Sequence, residues 1–260
     1  MNREEQIQEA SRQQFDRRSA HYGKGHILKS TDDLASALPA LRPRGGESLL
    51  DVATGAGHTA CYFAGLGLDV TACDISEKML EQTRAQAAER DLTIRTECHT
   101  AESLPYESGS FDIVTCRVAA HHFACPASFT MDVSRVLKPD GRFLLIDGTV
   151  EDGYPEAQAW AHEVEVLRDP SHQKFVTPDE WTHMTGHVAM RVIHRQIQPF
   201  KQPDLEWYFD TADTSPENRD KVRELIKHAP PEARDLFQVG EEDGKRIWWW
   251  QRLVMVAIKK

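Results

Sequence analysis

LLDVATGAGHTA, residues Leu49 to Ala60, joins an apolar run to an acid, two glycines and the start of a helical pattern. Such a run is typical of a buried strand in a parallel sheet, and the glycines predict a tight turn into the helix. Strand and helix patterns alternate up to residue 147, with strands at SLLDVA, LDVTACD, LTIRTECH, FDIVTCRV and GRFLLIDG. This alternation predicts an α/β fold with a doubly wound, mostly parallel sheet.

A chain of 260 residues has the length of one large domain. We expect a single domain over residues 1–260, with an N-terminal helical segment at 1–45, a binding core at 46–150 and a helical insertion at 203–245. Helix starts are marked by Ser76, by Pro126 and by a capping box of Thr177 and Glu180. Two more strand patterns, MRVIHRQIQ and WWWQRLVMVAIKK, follow the core.

Composition argues against several classes of partner. With 28% charged residues and no apolar run near the ~20 residues of a membrane helix, the chain is predicted to be globular, with no membrane partner. Its formal net charge of -10 argues against a nucleic-acid partner. The N-terminal stretch lacks the apolar segment of a secretory signal, so we expect a cytoplasmic protein. We also expect a monomer or a homodimer.

Cysteine and histidine spacing bears on disulfides and metals. The five cysteines form no CxxC pair, and we recognise no metal-binding motif in the spacing of the 12 histidines. Several cysteines lie in apolar strand patterns, which indicates buried free thiols. We therefore predict no disulfide, no zinc and no other bound metal.

The glycine turn is compatible with two kinds of ligand. Gly55, Gly57 and Ala60 fit the GxGxxA pattern of dinucleotide sites, and Asp74 ends the next strand where a ribose-binding acid is expected. Asp51 argues against a pyrophosphate, because an unpaired carboxylate repels its negative charges. The amino group and sulfonium of S-adenosylmethionine are cations, which such an acid attracts. These residues leave two alternatives, a dinucleotide-dependent oxidoreductase and a protein that binds S-adenosylmethionine.

Four ordered motifs resemble those of a known family, the class I S-adenosylmethionine-dependent methyltransferases. LLDVATGAG resembles their first motif, CDISEKML the acidic second, HTAESLPYESGSFDIVTCRVAAHHF the adenine-binding turn and fourth strand, and VLKPDGRFLLID the fifth strand. TAESLP, AAHHF and RDPSH are similar to a bacterial small-molecule subgroup near the ubiquinone and menaquinone C-methyltransferases. The resemblance implies a Rossmann-like seven-stranded sheet with an antiparallel C-terminal strand, and helical additions that form a lid. It also implies S-adenosylmethionine as cofactor, S-adenosylhomocysteine as product and a small-molecule acceptor whose accepting atom stays open.

The family pattern implies which residues surround the cofactor. Near its methionine end it places Asp51, Ala53, Gly55, Gly57 and Arg117. It places Asp74 at the ribose. Around the adenine it places Ile75, Met79, Ala101 and Glu102. Thr100 stands where many relatives have an acid just before the alanine of the adenine turn.

Residues after the fourth strand are the candidates for catalysis. His121 or His122 is expected to serve the acceptor, either by taking its proton, because imidazole is partly neutral near neutral pH, or by holding it in line. Arg117 is expected either to stabilise an acceptor that becomes anionic or to pair with a surface acid. The acceptor pocket is expected to include Phe15, Tyr22, His26, Arg168 and His172. A noncatalytic S-adenosylmethionine-binding module is a third alternative, since binding residues do not require chemistry.

Overall fold

The computed structural model describes residues 2–22 and 30–260. The chain divides into two compact units. The first contains Met1–Asp147, Thr182–Gln196 and Val254–Lys260, and the second contains Gly148–Trp181 and Ile197–Leu253. The expectation of a single domain with an N-terminal segment, a core and an insertion stays a prediction.

Helices and strands alternate through the first half of the chain. The helices are α1 (Arg3–Tyr22), α2 (Asp32–Leu41), α3 (His58–Gly65), α4 (Glu77–Ala88), α5 (Pro126–Val136), α6 (Pro155–Arg168), α7 (Pro178–His187), α8 (Leu205–Asp210), α9 (Pro216–Lys227) and α10 (Pro231–Leu236). The strands are β1 (Ser48–Val52), β2 (Asp69–Asp74), β3 (Ile94–Cys98), β4 (Phe111–Arg117), β5 (Leu137–Thr149), β6 (Met190–Lys201), β7 (Gly240–Glu242), β8 (Lys245–Ile247) and β9 (Trp249–Lys259). A short 3₁₀ turn, Ala120–His122, follows β4.

Seven strands form a mostly parallel sheet with one antiparallel strand, in the order β3-β2-β1-β4-β5-β9-β6. β1 pairs in parallel with both β2 and β4, and β2–β3 and β4–β5 are also parallel. The chain order reverses at β1, and ligands of open α/β sheets bind at the carboxyl ends of strands beside such a reversal. The predicted doubly wound, seven-stranded α/β fold is confirmed.

Strand β1 lies in the interior of the first unit. Its last four residues are buried, as expected for a central parallel strand covered on both faces. Leu49 packs in an apolar cluster with Leu34 of α2, Phe63 of α3 and Ile113 of β4. This packing gives a fixed base to the turn that follows β1.

The predicted helix starts agree with the structure. Ser76 caps α4, because its Oγ accepts a hydrogen bond from the Met79 backbone N–H at 3.2 Å. Thr177 and Glu180 form a reciprocal capping box, with the Glu180 carboxylate accepting from the Thr177 N–H and the Thr177 hydroxyl accepting from the Glu180 N–H. Pro126 begins α5.

The second unit has a core of aromatic side chains. Trp160 of α6 stacks on Phe237, with ring centroids 5.7 Å apart. Trp248 and Trp250 are buried, whereas Trp249 between them is half-buried, as the alternation of side chains in an extended segment predicts. Helices α8, α9 and α10 contribute further side chains to this core, among them Phe209, Val222 and Ala233.

All five cysteines are free in the structure. Cys73 and Cys116 are buried in β2 and β4, where loss of solvation raises the pKa of both thiols. Among the helices of residues 2–22 and 30–260, none has the length and apolarity to cross a membrane.

Candidate functional site

A turn of unusual backbone conformation connects β1 to α3. Ala53, Gly55 and Gly57 all have positive φ angles, of 53°, 56° and 84°. The N–H of Gly55 donates to Oδ2 of Asp74, at the end of the neighbouring strand, with a distance of 2.9 Å. The turn of β1 and the acid of β2 therefore form one structure at the carboxyl edge of the sheet.

The two glycines have different surroundings. A Cβ on Gly55 would meet no atom within 4 Å, so the turn is open on that side. A Cβ on Gly57 would lie 2.7 Å from Cγ2 of Thr83 and 3.0 Å from its Cα, because α4 passes directly against the turn. Gly55 therefore leaves space for a ligand, whereas Gly57 permits the close packing of α4.

Alanine is expected to act differently at these two positions, mainly on stability at Gly57 and mainly on ligand binding at Gly55. Gly57→Ala creates a clash with the backbone of α4 as well as strain at positive φ, so we expect a loss of stability of about 2–4 kcal/mol. Gly55→Ala adds strain of only about 1–2 kcal/mol but fills the open side of the turn. Chemical denaturation should show the larger loss of stability for Gly57→Ala. Calorimetric titration with S-adenosylhomocysteine should show that Gly55→Ala loses more affinity, relative to the stability it loses, than Gly57→Ala does. Equal stability of the two variants would contradict the packing role of Gly57.

Asp51 is a buried carboxylate at the end of β1, with 1% of its surface exposed. It accepts hydrogen bonds from the hydroxyl of Thr54 at 2.6 Å and from that of Thr115 on β4 at 2.7 Å. Burial raises its pKa to about 6, although both hydroxyls act in the other direction. The site thus holds a negative charge that is poorly solvated and that a cation would stabilise.

Asp74 is the corresponding acid of β2. Its two oxygens accept from the backbone N–H groups of Gly55 and Ser76, each at 2.9 Å. Burial also raises the pKa of Asp74 to about 6. Next to it, Met79 is buried and Ile75 is half-buried, so an apolar surface adjoins the carboxylate.

The turn after β3 contributes Ala101, which is buried, and Glu102, which is half-buried. Glu102 uses both carboxylate oxygens: one accepts from the Ala124 N–H at 2.9 Å, and the other from Nε2 of Gln8 at 3.2 Å. Glu102 therefore links this turn to the loop after β4 and to helix α1.

Helix α1 contacts the site at two further points. The ring of Phe15 packs edge-on against His122, with centroids 5.0 Å apart. Oδ1 of Asp16 accepts from the hydroxyl of Ser76 at 2.6 Å, directly beside Asp74. Phe15 thus contacts one of the candidate histidines, and its place in an acceptor pocket stays a prediction. The structure also brings Asp16, which the sequence did not mark, beside Asp74.

Arg117 ends β4 and is buried against α2. Its Nε and Nη2 each approach an oxygen of Asp33 at 3.0 Å, and Nη2 also donates to the Ser30 carbonyl at 2.7 Å. Both partners of this bidentate ion pair have only 4% of their side-chain surface exposed. The guanidinium therefore fastens α2 to the end of β4, and its expected action on an anionic acceptor stays a prediction.

The two candidate histidines have different partners. Nδ1 of His121 lies 2.7 Å from Oδ1 of Asp147, near the end of β5. His122 is buried, packs on Phe15, and lies with its ring 4.2 Å from that of His121. Asp147 was missed by sequence reasoning, although it ends an apolar strand as Asp51 and Asp74 do.

Arg168 and His172 belong to the second unit. The guanidinium of Arg168 contacts Glu165 at 3.0 Å, donates to the Tyr208 carbonyl at 3.0 Å and lies over the ring of Tyr208. His172 is buried and packs edge-on against Phe175, with centroids 4.8 Å apart. Both therefore contribute to the packing of this unit, and their place in an acceptor pocket stays a prediction.

Two of the predicted acceptor-pocket residues have no side-chain description. The side chain of Tyr22, the last residue of α1, and the whole of His26 lie outside the described residues. Within residues 2–22 and 30–260, no group of three His, Cys, Asp or Glu side chains is arranged to hold a metal ion.

Comparison with known proteins adds independent information. Residues 50–145 match the family described as "Methyltransferase domain". The chain is 30% identical over 245 residues to the uncharacterized methyltransferase YcgJ of Bacillus subtilis, which covers 93% of this chain and 96% of YcgJ. The crystal structure of YcgJ, 29% identical, matches with a TM-score of 0.81 over 89% of this chain and 99% of that chain.

Two more distant proteins have named activities. Ubiquinone biosynthesis O-methyltransferase of Roseobacter denitrificans is 30% identical over 190 residues, which are 70% of this chain and 74% of that protein. Geranyl diphosphate C-methyltransferase of Streptomyces coelicolor, solved with Mg2+, geranyl diphosphate and S-adenosylhomocysteine, is 15% identical and shares the fold, with a TM-score of 0.62. This match covers 88% of this chain and 80% of that chain.

Proposed function

Because the chain belongs to the class I S-adenosylmethionine-dependent methyltransferases, we propose that it transfers a methyl group from S-adenosylmethionine to a small-molecule acceptor. The observation that carries this proposal is the pair of buried carboxylates, Asp51 and Asp74, beside an open glycine turn. Two poorly solvated negative charges at neighbouring strand ends favour a ligand with cationic groups and ribose hydroxyls over one with a pyrophosphate.

The residues of the first unit fit the parts of this cofactor. The charge of Asp51 attracts the amino group, and Asp74 has acceptor capacity left for the two ribose hydroxyls. Met79 and Ile75 provide an apolar face for the adenine, whose edge would be read by the turn that contains Ala101 and Glu102. S-adenosylmethionine supplies a methyl group on a sulfonium, which is already an activated leaving group.

The chain's own contribution to the reaction is mainly positioning. Methyl transfer is an in-line displacement, so the protein must hold the acceptor atom ~3 Å from the methyl carbon and exclude water. Asp51 and Asp74 are assigned to the amino and ribose ends rather than to the sulfur. This arrangement avoids stabilising the sulfonium more in the ground state than in the transition state, where its charge is decreasing.

Relatives support a small-molecule acceptor but differ in the accepting atom. The Roseobacter denitrificans relative is named an O-methyltransferase of ubiquinone biosynthesis, and the Streptomyces coelicolor protein a geranyl diphosphate C-methyltransferase. Both names refer to small organic molecules, so a small organic acceptor is the first class to screen.

Calorimetry followed by a transfer assay tests the proposal. We expect the chain to bind S-adenosylhomocysteine in a 1:1 complex and not to bind NAD; the opposite result would favour a dinucleotide oxidoreductase. With methyl-labelled S-adenosylmethionine and a small-molecule panel, we expect label to appear in at least one panel member. Tight binding without any transfer would favour a noncatalytic binding module.

Helix α1 is expected to act as a lid over the cofactor, since it contacts three loops of the site through Gln8, Phe15 and Asp16. S-adenosylhomocysteine should therefore slow tryptic cleavage at Arg12 and Arg17 in this helix. Phe15→Ala should reduce this protection, because it removes the contact with His122.

Gln13→Ala, on the exposed side of α1, is the matched control and should keep full protection. Protection confined to residues 49–122 would contradict the lid. The insertion at 203–245 contributes α8, α9 and α10 to the second unit, and its predicted closure over the site stays a prediction.

A further inference from the structure

His121 and Asp147 form an acid–imidazole pair at the carboxyl edge of the sheet. His121 lies in the 3₁₀ turn after β4, and Asp147 lies near the end of β5, the next strand in the sheet. Arg117 is opposite Ile146 in the β4–β5 register, and the Val118 N–H donates to the Ile146 carbonyl at 2.6 Å. This register brings the residue after Ile146 beside the turn that carries His121.

The contact between the two side chains determines the tautomer of His121. An ionised carboxylate can only accept a hydrogen bond, so at the 2.7 Å contact Nδ1 carries the proton and donates to Oδ1 of Asp147. Nε2 is then the nitrogen with a lone pair. The ring is held in one orientation, with a basic nitrogen on the side away from Asp147.

Asp147 is a buried counter-charge for the imidazole of His121. Asp147 has 1% of its side-chain surface exposed, and within residues 2–22 and 30–260 its Oδ2 has no hydrogen-bond partner. A carboxylate in this position is stabilised when its neighbour becomes positively charged. A proton that arrives at Nε2 of His121 therefore produces an ion pair with Asp147.

The other ionisable groups near the pair are occupied in different ways. His122 packs on Phe15, and Arg117 forms the buried ion pair with Asp33. Cys116 of β4 is neutral, because burial, followed by the charge of Asp147, raises the pKa of its thiol. Of these groups, the His121–Asp147 pair alone combines an oriented imidazole with a buried counter-charge.

The pair is also correctly placed relative to the cofactor residues. The strands carry Asp74, Asp51 and Asp147 in the order β2-β1-β4-β5, and neighbouring strands are ~4.8 Å apart. Asp147 is therefore about 10 Å from the strand of Asp51, on the side opposite to Asp74. The pair therefore lies at the same carboxyl edge of the sheet as the two acids assigned to the cofactor.

We propose that His121, positioned by Asp147, removes the proton from a weakly acidic hydroxyl of the acceptor, a phenol or an enol, as that oxygen is methylated. This inference rests on the proposed function. The acceptor oxygen forms the new bond to the methyl carbon, the bond from methyl carbon to sulfur breaks with its electrons staying on sulfur, and the hydroxyl proton goes to Nε2 of His121. The products are the methyl ether, S-adenosylhomocysteine and a protonated His121 that returns its proton to solvent.

The chemistry of the pair selects this class of acceptor. A carboxylate is already anionic near neutral pH and needs no base. An unactivated carbon acid holds its proton far too strongly for an imidazole. A phenolic or enolic hydroxyl is the intermediate case, because it is protonated near neutral pH and its proton is within reach of a general base.

Kinetics with a panel of phenols, enols, amines and thiols tests the proposal. We expect methylation of hydroxyl members, and Asp147→Asn and His121→Gln should each lower kcat for an unsubstituted phenol by about 100-fold, while KM and the affinity for S-adenosylhomocysteine change less than about threefold. For para-nitrophenol, which is largely ionised at pH 8, the same variants should lose much less. Asp147→Glu should restore part of the rate.

The matched control is the exposed acid–imidazole contact of α9. Glu224 and His228 lie 3.4 Å apart with 64% and 69% of their side chains exposed, so Glu224→Gln and His228→Gln should leave the rate unchanged. Methylation of amines, thiols or carbon acids without any hydroxyl member would overturn the acceptor class but keep the proposed function. Equal losses for phenol and para-nitrophenol would overturn the base.

Histidine nitrogen NMR gives a readout that needs no acceptor. In the 15N-labelled chain with S-adenosylhomocysteine bound, His121 should show the Nδ1-protonated tautomer, and Asp147→Asn should abolish this preference. A Nε2-protonated His121 in the parent would overturn the proposal, whereas failure to bind S-adenosylhomocysteine at all would instead contradict the proposed function.

Discussion

Replacing Asp74 with alanine is expected to raise the dissociation constants of S-adenosylmethionine and S-adenosylhomocysteine by about 100-fold or more, because two charge-assisted hydrogen bonds to the ribose, each worth ~1.5–3 kcal/mol, are lost. The carboxylate also accepts from Gly55 and Ser76, so its removal loosens the turn that borders the cofactor. Both ligands share the ribose and should lose affinity by the same factor. Calorimetric titration of the variant measures the effect.

Asp69→Ala is the matched control for this experiment. Asp69 begins the same strand, at its opposite end, and forms an exposed ion pair with Arg95, so its removal should leave both dissociation constants unchanged. Thermal unfolding establishes whether each variant is folded. A folded Asp74→Ala protein with unchanged dissociation constants would remove the ribose assignment.

Residues 48 to 147 show why the meeting of Asp51 and Asp74 at one sheet edge was predictable. The apolar runs of β1 and β2, the acids that end them and the glycines of the turn are neighbours in the chain, so local pattern places Asp51 and Asp74 at one sheet edge. The order of a parallel sheet then brings these edges together without knowledge of any side-chain contact.

Side-chain contacts between residues that are far apart in the sequence were not predictable. His121 and Asp147 are 26 residues apart, and Arg117 and Asp33 are 84 apart. Their contacts depend on the β4–β5 register and on the position of α2, neither of which leaves a local signal. Arg117 was therefore expected to face the acceptor, although the structure pairs it with a buried acid of α2.

The second unit shows the same limit. Arg168 lies 40 residues from Tyr208, whose carbonyl accepts from its Nε, and the Tyr208 hydroxyl donates to Glu165 across 43 residues. Side-chain alternation predicted burial near Trp248, but this network arises only when α6 and α8 pack together. From the sequence alone, Arg168 was therefore compatible both with a place in a binding pocket and with a role in packing.

Cofactor affinity is expected to fall as the pH drops through about 6. The pKa values of Asp51 and Asp74 in the free protein are both raised to about 6, first by burial. Binding of a cationic amino group and of donating ribose hydroxyls requires the ionised carboxylates, so each group costs about tenfold in affinity per pH unit below that value. Calorimetry with S-adenosylhomocysteine should therefore show a steep loss between pH 7 and pH 5.

The variant Asp51→Asn tests whether the charge of Asp51 serves cofactor binding or the stability of the fold. The folded-state pKa of Asp51 lies above the ordinary aspartate pKa of 3.8, so this group favours folding below pH 3.8, and the contribution disappears as the pH rises through about 6. At pH 7 the buried charge is a cost that asparagine lacks, while Thr54 and Thr115 can still hydrogen-bond to the amide.

We therefore expect Asp51→Asn to gain about 1–3 kcal/mol of stability at pH 7 and to lose that advantage near pH 4. Its affinity for S-adenosylhomocysteine should fall by about 10- to 100-fold at pH 7, and the pH dependence below 6 should become shallower because one titrating group is gone. Stability gained where binding is lost is the pattern of a group retained for function. If the variant instead bound NAD tightly, the ligand of the parent protein would carry negative rather than positive charge at this position. If the variant lost stability at pH 7, the carboxylate of Asp51 would stabilise the turn rather than serve the cofactor.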